Sequence, residues 1–262
     1  MVCKNCNKQL LDTQKFCDEC GAKVIQNRLT PKILTQQINE EFISIDNKFL
    51  RTFIGLFKRP ENVINGYIYG TRKKYINVLQ YFAIGLTLAG IQFYIMKTFF
   101  IEQLENPFQF TGELKESNES TQKTIERFIG DGGNFQSLTY ILSVPFSAVG
   151  TWLTYKFTGF KKFNFTEHVV INLYYSAQVI ITSSILYIIA SAVGINFLVS
   201  SILISLIIFF YQAYVFKRVT NHSSLESIAR IIVSYFVVGI QVIILLMIFF
   251  LVAIILKTTN II

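Results

Sequence analysis

Apolar residues fall into five long blocks after residue 74, at roughly 75–96, 136–157, 169–190, 197–216 and 231–256. A helix needs about 20 apolar residues to cross the hydrocarbon core. A spanning strand would need only about ten, alternating with polar ones, and these blocks do not alternate. Helices also satisfy their own backbone groups where no water is available. The pattern predicts an all-α membrane protein, a bundle of about five transmembrane helices. Upstream, Leu34, Ile38, Phe42, Ile45, Phe49, Phe53 and Phe57 recur at helical spacing, with Gln37, Glu40, Glu41, Asp46 and Lys48 between them. This predicts an amphipathic helix over residues 33–57, ended by Pro60. Its apolar face can lie in the headgroup region or pack on the protein's own helices. The expected organisation is a cysteine-rich head over 1–25, a linker and amphipathic pre-membrane helix over 26–74, and a transmembrane domain over 75–262.

Composition agrees with a lipid-solvated body: only 15% of the 262 residues are charged, against about 25% in soluble domains. The start of the chain has no apolar signal-peptide core, so the first spanning helix is expected to act as the targeting signal. The net charge of +8 matters through its distribution. Arg72, Lys73 and Lys74 precede the first block. Lys156, Lys161 and Lys162 lie between blocks two and three, and Lys217, Arg218 and Arg230 between blocks four and five. The intervening loop 97–135 has four cations against seven acids, a net charge of −3. Cations stay on the cytosolic side, so the N-terminus is expected inside and the C-terminus outside. Asn118-Glu-Ser120 in that loop matches the N-glycosylation pattern. Arg72, Lys73 and Lys74 are candidate contacts for anionic lipid or a partner. The head has no dense Lys/Arg run of the kind that marks nucleic-acid binding.

The chemistry concentrates at the start. Cys3-Lys-Asn-Cys6 and Cys17-Asp-Glu-Cys20-Gly21 are two paired knuckles separated by ten residues. Two such pairs fit one tetrahedral Zn2+ site, with Gly21 letting the chain turn beside the second. A 25-residue segment lacks the apolar core to fold alone, so the metal supplies folding energy. Four thiolates fill the coordination shell, which makes the expected zinc structural. A cytosolic location disfavours disulfides.

No Asp, Glu, Lys or Arg lies in the middle of any block, which argues against a proton-coupled pump. Gln92, Asn172, Gln178, Gln212 and Gln241 are the intramembrane polar residues, expected to hydrogen-bond between helices or to line a polar path. Pro145, with Gly150 beyond it, suggests a kink. Gly85, Ala89 and Gly90 suggest a close-packing face. Glu167 and His168 at the start of block three could form an acid–base or metal site, with His222 and Glu226 converging from another loop.

The ending FCDECG of the head, the Phe-rich helix, and the run KRPENVINGYIYGTRKKYINVLQYF over 58–82 resemble a bacterial domain-of-unknown-function family of zinc-ribbon membrane proteins. That resemblance implies a bacterial inner membrane and no established activity. The five-span layout with a cytosolic N-terminus is also similar to the Yip-type superfamily, whose members act in membrane traffic and organisation. Three functions compete: a non-enzymatic membrane scaffold or adaptor with a protein partner at its cytosolic face, a transporter or channel for ions or small molecules, and a membrane enzyme using Glu167 and His168. The closed cysteine site and uncharged spans favour the first.

Overall fold

The computed structural model describes residues 1–24, 30–32, 48–104 and 136–258. The chain forms two compact units, Met1–Asp46 and Asn47–Ile262. The described residues of the first contain two isolated bridges, Val2 with Gln9 and Phe16 with Lys23, each closing a knuckle.

The second unit is all helical among its described residues. A helix over 48–58 (α1) is followed by α2 (Pro60–Ile68), α3 (Val78–Phe99), α4 (Ile101–Leu104), α5 (Gln136–Phe157), α6 (Phe165–Ala192), α7 (Phe197–Thr220) and α8 (Ser224–Thr258). Four of these are long and apolar enough to cross a membrane: α3, α6, α7 and Ser224–Ile248 of α8. α5 occupies the expected residues and has 22 of them, but it is the more polar helix. Two of its hydroxyl residues, Thr151 and Thr154, are buried in the bundle.

Asparagines start three of the long helices. The side chains of Asn77, Asn164 and Asn196 accept the amides of Leu79, Glu167 and Leu198, which satisfies otherwise orphaned donors. Asn77 also explains why α3 begins at Val78 rather than at Tyr75. Tyr75 and Ile76 are buried in the connection ahead of the helix. There the Ile76 amide donates to Thr52 Oγ1 at 3.0 Å, and the Ile76 carbonyl accepts from the Tyr174 hydroxyl at 2.8 Å. α8 begins seven residues earlier than expected, because Arg230 is paired inside its first turns.

α6 is the hub. α3 runs parallel to it, with contacts climbing both helices together: Tyr81 bonds Gln178, Gly85 meets Ala177 and Ile181, and Met96 accepts from Ser191. A Cβ on Gly85 would sit 3.4 Å from the Ala177 carbonyl, so this glycine and Ala89 form the expected close face. Gly90 has open space around it and takes no part. α5 and α8 run antiparallel, crossing at Gly150, where a Cβ would lie 2.6 Å from Val238 Cγ2. Gly150 thus serves a helix crossing, and α5 continues as helix through Pro145.

The amphipathic helix expected over 33–57 is described only from residue 48. Its inner face, Phe49, Thr52, Phe53 and Leu56, packs on the bundle. The Asn118 motif, and loop 97–135 beyond residue 104, lie outside the described residues.

Candidate metal centre and the polar end of the bundle

Each knuckle is built the same way. Cys3 N–H donates to the Lys8 carbonyl and Asn7 N–H to the Cys3 carbonyl; Cys17 N–H donates to the Ala22 carbonyl and Gly21 N–H to the Cys17 carbonyl. The residue after each second cysteine has a left-handed backbone, Asn7 at φ 61° and Gly21 at φ 70°. Glycine and asparagine tolerate that conformation best. The sequence pointed to Gly21; Asn7 is its equivalent, legible as the residue following Cys6. Lys8 ties the knuckles by reaching Asp18 at 3.1 Å and Glu19 at 3.5 Å. Leu10 and the buried Cys3 and Cys17 make the small core.

The four sulfurs all lie within 4.8 Å of one another. Cys3 Sγ is 3.6 Å from Cys20 Sγ, and Cys6 Sγ is 3.6 Å from Cys17 Sγ. Tetrahedral Zn–S bonds of about 2.3 Å put sulfurs about 3.8 Å apart, so the cluster fits that ion. The thiols polarise one another. Cys20 falls to about 6, through hydrogen bonds from the Asn5 side chain and the Ala22 amide and its contact with Cys6. For Cys6, the Lys8 amide pulls downward, but contacts with Cys20, Cys17 and Cys3, together with burial, outweigh it and push the thiol up to about 12.

The second concentration of chemistry is at the end of the bundle where α5 and α7 finish and α6 and α8 begin. Glu167 and His168 take different partners. Glu167 closes a capping box with Asn164, its Oε2 accepting the Asn164 amide at 2.7 Å. His168 turns inward, with Nδ1 3.2 Å from Thr151 Oγ1, which also accepts from Asn172 Nδ2 at 2.9 Å. The Asn164-x-x-Glu167 spacing was the available signal for the cap.

The other loop does converge. The Tyr155 ring lies between His168, at 5.6 Å, and His222, at 6.1 Å. Arg230 stacks on Tyr155 at 4.9 Å and donates to Glu226 Oε1 at 2.7 Å and to His222 Nε2 at 2.7 Å. Burial, and the Arg230 charge after it, hold His222 below its ordinary value. The sequence had placed Arg230 as a boundary cation; its burial between Tyr155 and Phe160 was not legible.

Of the expected path residues, Gln178 is used by Tyr81 and the Phe53 carbonyl, and Gln212 accepts from Tyr235 at 2.5 Å. Gln92 is buried, and Gln241 Nε2 makes no hydrogen bond among the described residues. Arg72, Lys73 and Lys74 are exposed between α2 and α3. Arg72 lies over the Tyr67 ring and Lys74 over the Tyr75 ring, each at 5.4 Å.

Comparison with known families agrees with both regions. Residues 2–24 match the zinc-ribbon domain, and residues 46–90 match a family described as a protein of unknown function (DUF3667). No curated protein and no solved structure matches the chain. The chain is thus a membrane-type helical protein with a zinc-ribbon head and a cysteine cluster suited to a metal ion.

Proposed function

We propose that the chain is a non-enzymatic scaffold of a cell inner (cytoplasmic) membrane, whose zinc-loaded ribbon docks a protein partner on the cytosolic side. Arg72, Lys73 and Lys74 then meet anionic headgroups where that leaflet begins. The observation that carries this reading is the internal use of polar groups. The intramembrane glutamines Gln178 and Gln212 are hydrogen-bonded to neighbouring tyrosines rather than left to line a path. The ribbon's four thiols form a closed set with no ligand position to spare. Five crossings are favoured over four by the direction of the helices. Because α3 and α6 are parallel, a chain that crosses with both must return between them, and α5 is the described helix that can do so. An odd number of crossings leaves the two termini on opposite sides, and keeping the cation-rich connections in the cytosol favours the N-terminus inside and the C-terminus outside.

A photocrosslinker at the exposed Phe16, in intact cells, should give one discrete protein adduct. Cys17→Ser with Cys20→Ser should lose both that adduct and the single bound zinc per chain. Proteoliposomes of the unaltered chain should pass ions and small solutes no faster than empty ones. A solute flux that Gln178→Leu abolishes would replace this reading with transport.

A further inference from the structure

We propose that α1 is an in-plane anchor whose outward stripe of Leu50, Ile54 and Phe57 inserts among acyl chains while Lys48, Lys58 and Arg59 hold anionic phospholipid headgroups. The inference rests on the bundle being membrane-embedded and extends lipid contact to a helix that spans nothing.

The orientation of α1 follows from three contacts at one level of the bundle. Phe49 meets Tyr81 in the first turn of α3, with ring centroids 5.7 Å apart. The Phe53 carbonyl accepts from Gln178 of α6 at 3.4 Å. Phe57 meets Tyr211 of α7 at 5.5 Å, and the Tyr211 hydroxyl donates to the Leu56 carbonyl at 3.2 Å. Tyr81 and Gln178 are bonded to each other, and Tyr211 stacks on Tyr175 one turn from Gln178. So α1 crosses three membrane helices at nearly constant depth, transverse to their axes. That depth is the start of α3, immediately after the basic residues 72–74.

At about 100° per residue, α1 divides into three sectors. Phe49, Thr52, Phe53 and Leu56 face the bundle. Lys48, Arg51 and Lys58 fall on a second sector, Arg59 follows at the junction with α2, and there is no acid between residues 48 and 59. Gly55 lies on that side too, where α2 approaches so closely that a Cβ would be 2.8 Å from Val63 Cγ2. α2 in turn reaches the end of α7, with Glu61 bonded to Arg218 and Asn65 to the Val219 carbonyl. The cationic sector therefore points toward the basic ends of the helices.

The third sector, away from α2, carries Leu50, Ile54 and Phe57, exposed by 56%, 41% and 39%. A soluble amphipathic helix would put polar residues there. The stripe joins, through Phe57 and Tyr211, the exposed apolar flank of α7 at Phe210 and Ile207. Continuity with that flank, and a stretch of cations with no acid over 48–59, fit anionic lipid better than a protein groove.

Bromolipid quenching of tryptophan in the full reconstituted chain tests this. In a Trp152→Phe background, Ile54→Trp reports the stripe and Phe210→Trp reports the flank of α7. Vesicles are mainly phosphatidylcholine with a minority of phosphatidylglycerol, brominated on one lipid or the other. Both tryptophans should be quenched by bromines near the carbonyl end of the chains and shielded from aqueous iodide. Quenching per brominated lipid at position 54 should be greater for phosphatidylglycerol, by up to about fivefold for each cation engaged. Lys48→Gln with Lys58→Gln and Arg59→Gln should erase the excess. Iodide quenching at 54 with bromolipid quenching at 210 would overturn the inference and leave the membrane reading intact. Equal quenching by the two lipids would overturn the anionic preference. No bromolipid quenching at 210 would sink the membrane reading itself.

Discussion

α6 and α8 are both long apolar helices, yet they hold opposite positions. In its most apolar 18-residue stretch, 50% of α6 is buried, against 11% for α8, although α8 is the more apolar of the two. α6 buries His168, Asn172, Gln178, Ser183, Ser184 and Ser191. α8 instead exposes a continuous run from Val242 to Ile248. In water the ranking would be reversed. In lipid the solvent is as apolar as leucine, so hydropathy no longer drives a helix inward, and small and hydrogen-bonding residues decide who sits at the centre. α8 is held at its foot, by Glu226, Arg230 and Ser234, while its side chains over 242–248 are exposed.

The largest break of this comparison is overpacking. Ala177 is fully buried against Gly85, so Ala177→Leu should cost about 3 kcal/mol. Ile244→Leu in α8 should cost nothing measurable in the same detergent unfolding titration. Equal losses would mean that α8 is packed as tightly as α6.

Next come the two glutamines. Gln178→Leu strands the Tyr81 hydroxyl and should cost about 1–2 kcal/mol. Gln241→Leu removes an amide nitrogen that makes no hydrogen bond among the described residues and should stay within about 0.5 kcal/mol of the unaltered chain. Unfolding midpoints of the pair sharpen the contrast; the opposite order would contradict it.

A smaller effect is expected at the foot of α8. His222 is held below its ordinary value of 6.5 by burial and then by Arg230, with Glu226 opposing. Its ring also meets Thr220, Phe160 and Tyr155. The unfolded chain then binds the proton more readily, so stability is full above pH 6.5 and declines as pH falls through the depressed folded value. His222→Gln should flatten that decline. An unchanged slope would assign it to the carboxylates.

Much of this was legible in the sequence, because long apolar blocks have few alternatives. The expected 136–157 coincides with α5, the last three spans sit within the helices found, and the first begins three residues before α3. Boundaries moved where a side chain, not hydropathy, set them: Asn77 delays α3, and the pairing of Arg230 lets α8 begin early. The cysteine cluster was readable because knuckle spacing is local. The meeting of Tyr155 with both histidines was not, because it depends on helices far apart in sequence. Nor was the dual character of α1, since one heptad-like stripe in the sequence conceals a second one beside it.

The most direct test of the account is the sidedness of α5, the least apolar of the five proposed crossings. Single cysteines at Val193, after α6, and at Lys161, after α5, are both at exposed positions. With an impermeant thiol reagent on intact cells, the account predicts labelling at 193 and none at 161 until the membrane is opened. A third cysteine at Ser117 should be labelled like 193. Labelling at 161 from outside, or protection at 117, would contradict the five-crossing bundle with its ribbon in the cytosol.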